Sequence, residues 1–187
     1  MDSHGTGMPL WAGKDDIKEY LKLVNRNGKA LEYCMFQPGL FLNYLATPHR
    51  TAEYLTQLNT FADLENRRAI VIDELDPVVS MTTVQDMAAV LARAVDFEGE
   101  WPEVGGIQGN NLAISEIVDV GKRLRAFRHH SVSEEEADKM FETVLVGILL
   151  GCAKGAWEVS DEWNKLLPDF KFTKVVDFVA DVWSGKL

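Results

Sequence analysis

Apolar side chains recur along this chain in blocks whose spacing changes from helical to extended and back. Ile17, Tyr20, Leu21 and Val24 stand three or four positions apart, which puts them on one helical face, and Asn27-Gly28 ends the helix. Lys14 lies at its start. Residues 31–37 (LEYCMFQ) form a continuous apolar and aromatic run closed by Pro38-Gly39. That pattern predicts a strand with a loop at its carboxyl end, the place where open α/β sheets hold ligands. Two more short runs, 69–72 and 78–81, predict strands on either side of the turn-like segment 73–77. The second passes into Thr83 and, three positions on, Asp86, a capping box with Asp in place of Glu, so a helix is expected from Val84 to about Val95.

Gly105, Gly106 and Gly109 cluster around Val104 and Ile107, which predicts a short strand or turn, and Ser115 is expected to cap a helix running through Leu124. Ser133-Glu134-Glu135-Glu136 is the clearest helix start in the chain, with a capping hydroxyl and negative charge against the positive helix end. The helix it opens carries one broad stripe, Met140, Phe141, Val144, Leu145, Ile148, Leu149 and Cys152, and Gly155 can end it. Ser160-Asp161 begins a short helix with Trp163, Leu166 and Leu167, and Thr173 begins the last one. With no repeat or linker, residues 1–187 read as one mixed α/β unit.

Composition narrows the function. The length of 187 residues suits a single domain, and 47% hydrophobic residues suffice for a core. Lys and Arg number 19 against 29 Asp and Glu, a net charge of −10 that disfavours nucleic acid and anionic membrane surfaces. Cys34 and Cys152 match neither a zinc spacing nor a disulfide framework, and no apolar stretch is long enough to span a bilayer. A cytoplasmic protein is the expectation.

Several candidate chemistries can be weighed on residue spacing. Gly5-Thr-Gly7 lacks the preceding strand that a dinucleotide fingerprint requires, and the Gly105 cluster reads more simply as a turn than as a phosphate loop. None of Tyr20, Tyr33, Tyr44 or Tyr54 has a Lys four positions on, so the phenol and ammonium pair of ordinary short-chain dehydrogenases is absent. Lys122, Arg123, Arg125, Arg128, His129 and His130 form a basic patch, either an anion site or a solvated helix end. The histidines offer no ligand spacing, and no metal is expected.

Several longer segments resemble a known family: MPLWAGKDDIKEYL from Met8, YCMFQPGLFLNY from Tyr33, VSMTTVQD from Val79, EWPEVGG from Glu100 and SDEWNKLLP from Ser160. Together they look like the carboxyl-terminal half of fungal NmrA-like proteins, relatives of the isoflavone reductases among the atypical short-chain dehydrogenases. The resemblance implies a truncated Rossmann-like substrate domain, α/β, with a small sheet and several helices. It also implies an acid/base role for Lys14, which stands in the family's Lys-x-x-Ile pattern with Ile17, and a place beside the substrate for Phe36, Gln37, Pro38, Gly39, Phe41 and Tyr44. Tyr44 is taken as Lys14's catalytic partner, and Trp11 and His49 join the substrate-contacting candidates. For each of these the alternative is ordinary packing or a solvated surface.

Two departures from the family shape the expected function. The glycine-rich dinucleotide half would lie before Met8, so no cofactor is expected. After Arg125 the chain is expected to pass straight to the Ser133 cap, without the further strand of related proteins. The reading that follows is a cofactor-independent isomerisation, dehydration, rearrangement or cyclisation of a small secondary metabolite. The alternatives are a non-catalytic regulatory module or a reductase remnant. A homodimer covering the first helix and first strand is expected.

Overall fold

The computed structural model describes residues 12–72, 74–125, 128–132 and 144–186. Trp11, the Ser133 cap and the start of the Met140 stripe lie outside the described residues. The first helix, α1 (Ala12–Val24), forms where its spacing predicts, and Gly28 follows with φ of 129°. The strand expected over 31–37 is shorter: β1 is Met35–Gln37. Asn25 explains the difference, because its side-chain oxygen takes the N–H groups of Ala30 and Leu31 while its amide donates to the Leu31 carbonyl at 2.8 Å. With those backbone groups satisfied locally, ladder formation begins only where the Met35 N–H reaches the Glu103 carbonyl.

After β1 come β2 (Leu40–Phe41), a single 3-10 turn (Leu42–Ala46), β3 (Ala62–Asp63), β4 (Arg68–Ile72) and β5 (Val78–Thr82). Next are α2 (Val84–Val95), β6 (Val104–Gly106), β7 (Asn110–Ala113), α3 (Ile114–Arg125) and β8 (Arg128–Val132). The chain ends with α4 (Val144–Ala153), α5 (Glu162–Leu166) and α6 (Val175–Trp183). Among the described residues the strands make three small sheets instead of the one expected: β1 pairs with β6 in parallel, β5 lies between parallel β2 and antiparallel β7, and β4 lies between antiparallel β3 and parallel β8.

Strand β8 overturns the expectation that the chain runs directly from Arg125 to Ser133. Its register against β4 is unbroken from Arg128 opposite Arg68 to Val132 opposite Ile72. The sequence RHHSV carries no alternation that would reveal it, since its polar residues read as a helix end.

The helix starts show which caps the tertiary structure kept. Thr83 caps α2 as expected, its hydroxyl accepting the Asp86 N–H at 2.9 Å. Asp86 does not complete the box. Its carboxylate instead takes the N–H of Thr173 at 2.9 Å and the Thr173 hydroxyl at 3.2 Å, tying the start of α2 to the segment before α6. Ser115 is not a cap: it lies inside α3, and its N–H and hydroxyl both donate to Asp76 at 2.8 and 2.7 Å.

Burial falls into two clusters. The larger one packs α4 residues Ile148, Leu149 and Cys152 against β4 and β5, with α6 closing over the 3-10 turn. The smaller one gathers Val90, Ala94, Ile107 and Trp163, with half-buried Phe36, Phe97 and Trp101 around them. The site expected from the sequence lies where the chain crosses from the second cluster to the first.

Candidate functional site

Pro38 and Gly39 make the crossing. Gly39 has φ of 70°, and a Cβ there would stand 2.1 Å from the Ser80 carbonyl oxygen, so only glycine lets β2 close onto β5. In the 3-10 turn that follows, Leu42, Leu45 and Ala46 go into the core. Phe41 and Tyr44 stay half-buried with their rings edge-on, 5.9 Å apart. Burial pushes the Tyr44 phenol above its ordinary value, so it stays a proton donor at neutral pH. Among the described residues its hydroxyl has no hydrogen-bond partner.

Asn43, between them, is a residue that the sequence reading did not single out. It is buried, its side-chain oxygen takes the Val84 N–H at 2.8 Å, and its amide donates to Thr51 and Gln85. It therefore locks the Tyr44 turn to the amino end of α2. The available signal was a lone amide within the apolar run GLFLNYLA, where a polar group must find a partner.

Lys14 lies in the first turn of α1 and is exposed, yet the surrounding chain desolvates its ammonium enough to lower its pKa. No hydrogen bond joins it to Tyr44 among the described residues. Desolvation thus moves the two proposed proton-transfer groups in opposite directions, the Lys14 ammonium down and the Tyr44 phenol up.

The other candidates divide by environment. Phe36 stacks on Trp163 at 5.3 Å and meets Trp101 edge-on at 5.8 Å, while Trp163 donates its indole N–H to Cys34. The Gln37 carbonyl takes the Ile107 N–H, and Pro38 is half-buried at the turn. His49 lies edge-on to Trp183 at 4.7 Å, and its backbone N–H reaches the Ala46 carbonyl. Phe41 and Tyr44 thus meet each other next to the buried Gly39 turn, whereas Phe36 and His49 are held in separate aromatic contacts.

The remaining sequence motifs resolve into packing. A Cβ on Gly105 would stand 2.3 Å from the Trp163 indole nitrogen, and one on Gly106 would stand 1.9 Å from the Ser160 carbonyl oxygen, so this glycine cluster serves close approach to α5. Of the basic patch, Arg125 is buried over the Trp183 ring at 4.5 Å and donates to the Leu64 and Lys186 carbonyls. Burial pushes the Cys152 thiol up to about 12, which makes it inert. Among the described residues no group of three or more His, Cys, Asp or Glu side chains could hold a metal, and no helix is long and apolar enough to cross a membrane.

Parallel strand pairs, a turn at their carboxyl ends and flanking helices give this chain the Rossmann-like α/β fold of NmrA-like, isoflavone-reductase-like and epimerase-type structures. Particular solved structures carry the likeness. Isoflavone reductase superposes with a TM-score of 0.65 at 14% identity, over 92% of this chain and 58% of that one. An NADPH-dependent quinone oxidoreductase from Escherichia coli gives 0.61 at 18%, over 97% and 65%. A nucleoside-diphosphate-sugar epimerase from Staphylococcus aureus gives 0.58 at 12%, over 91% and 57%. Among curated proteins, the oxidoreductase swnN of Metarhizium robertsii is 22% identical over 181 residues, spanning 83% of this chain and 53% of that protein. The chain therefore spans about half to two thirds of the length of the proteins it matches. No protein-family model matches it.

Proposed function

We propose that this chain carries the substrate-side site of a small-molecule-transforming enzyme, and that its own residues perform proton transfer, with Lys14 as base and Tyr44 as acid. The observation that carries the reading is Tyr44. Its phenol is half-buried, raised in pKa, unbonded within the described residues and set beside Phe41 at the turn after the parallel strands. A planar substrate fits against such an aromatic ledge, and an acid kept protonated there can deliver a proton to a carbonyl or alkene. The chemistry within reach is isomerisation, dehydration, rearrangement or cyclisation, without hydride transfer. The reductase names of the relatives support a small carbonyl compound as the substrate class. The exposed apolar face of α1 supports a homodimer.

Deuterium exchange tests this without knowledge of the natural substrate. In heavy water the protein should label carbon adjacent to the carbonyl of cyclic enones and flavanones with no nicotinamide present. Lys14→Met and Tyr44→Phe should each lower the labelling rate by about 10² to 10⁴. Oxidation of NADPH with no label in its absence would overturn the reading.

A further inference from the structure

Away from the candidate site, a cleft of about 610 Å³ opens between α3 and α6. Its walls are aliphatic: Leu112 from β7, Val120 from α3, and Val175 and Val176 from α6. Val176 is 40% exposed, so part of this wall faces solvent uncovered. None of the proposed catalytic or substrate-contacting residues lines it.

Four charged side chains border the cleft, and three already have partners. Glu116 accepts the Ala113 N–H at 2.9 Å at the start of α3, and Asp119 pairs with Lys122 at 3.1 Å. Arg123 is the remaining one. It is exposed and makes no hydrogen bond or ion pair among the described residues, in a chain of net charge −10 where acids are plentiful. An apolar cleft of a few hundred cubic ångströms with one uncommitted charged group at its border has the make-up of a small-molecule site. A planar guanidinium can bind a carboxylate through two parallel hydrogen bonds.

We propose that the α3–α6 cleft binds a small carboxylic acid with an aliphatic or aromatic body, the body against Leu112, Val120, Val175 and Val176 and the carboxylate on Arg123. A second cleft, of about 350 Å³, lies on the other flank of α3 with Lys122 common to both. Its charged lining includes Glu74 and Asp76, and Asp76 is spent on Ser115. That lining sets a single cation, Lys122, against two acids, whereas the α3–α6 cleft sets Lys122 and the uncommitted Arg123 against Glu116 and Asp119, so the acid is directed to the Arg123 side.

Decanoate, kept below its micellar concentration, is the probe. It is titrated into the full chain carrying labelled Leu and Val methyl groups, with decanol as the neutral comparison. Saturable shifts confined to Leu112, Val120, Val175 and Val176 are expected, with Arg123→Ala weakening decanoate about tenfold or more and leaving decanol unchanged. Arg123→Lys should restore part of the affinity, and Val176→Asp should remove binding of both probes while the spectrum stays folded. Equal decanoate affinity in the Arg123→Ala chain, shifts centred elsewhere, or no saturable shift would each overturn the proposal.

Discussion

At the scale of single residues, the two proton-transfer candidates differ in how much the structure does for them. Tyr44 is placed by its neighbours on both sides, since Leu42 and Leu45 are buried and Asn43 is bonded to α2. Lys14 lies in the first turn of α1, on the exposed surface. If the neutral amine is the base, the exchange rate rises with pH and levels off at the Lys14 pKa, which lies below the ordinary 10.5 because desolvation disfavours the ammonium. Burial shifts Tyr44 the other way, above its ordinary value. A pH–rate profile should show this single rise, and Lys18→Met should leave it in place. A profile unaffected by Lys14→Met would make that lysine surface.

Gly106 offers a residue-scale check on the fold itself. The Ser160 carbonyl is backbone and cannot swing away from a Cβ at 1.9 Å, so Gly106→Ala must push α5 off β6. Loss of about 1–3 kcal/mol or more is expected in urea unfolding, from overpacking. A phosphate-loop role for the same glycines would leave stability nearly untouched.

At the scale of elements, the contact between α2 and the lead into α6 is the most informative. The residues 169–174 are fastened by Asp86 to Thr173, by Arg93 to Asp169 at 2.8 Å, and by Arg93 over the Phe170 ring at 5.2 Å. Asn110 adds two bonds, to the Thr173 carbonyl and from the Val175 N–H. The exposed Arg93 pair contributes little, whereas Asp86 is 8% exposed and leaves a Thr173 donor without a partner if removed. Asp86→Ala should therefore cost about 1–3 kcal/mol and Arg93→Ala less than about 1, measured by chemical denaturation. Equal losses would show that Asp86 serves only α2.

The same elements show how far the sequence could be read. Helices α1, α2 and α6 and strands β4 and β5 fall close to where the sequence predicts, because each carries its apolar residues at helical spacing or in a short continuous run. β2, β3 and β7 are too short to show a rhythm, and β8 hides in polar residues. The cap expected at Ser115 went to Asp76, which is remote in sequence and reaches Ser115 only because β5 pairs with β7.

At the scale of the whole molecule, α1 is thinly covered by the other described residues. Ile17, Tyr20 and Leu23 keep 61%, 65% and 60% of their surface exposed, and Leu31 just beyond keeps 46%. Apolar faces of this kind are seldom left bare in solution, and two-fold pairing is the commonest way to cover them. Sedimentation equilibrium at micromolar concentration should show a dimer, and Tyr20→Glu should return it to 21.0 kDa. A monomer in both cases would remove the dimer from the functional reading.

What the sequence determined by itself was local: helical and extended periodicity, the turn at Pro38-Gly39, the Thr83 cap, and the blocks LWAGKDDI and FQPGLFLNY that resemble reductases. These are set by neighbours within a few positions, where backbone geometry and side-chain spacing leave little choice. Tertiary structure alone decided which partner each polar group takes. It sent Asp86 to Thr173, Asp76 to Ser115 and Asn43 to Val84, gave Phe36 and His49 to aromatic packing, and left Arg123 without a partner among the described residues at the border of the α3–α6 cleft. Hydrogen bonds and burial depend on distances between segments far apart in the chain, and no periodicity along the chain encodes those distances.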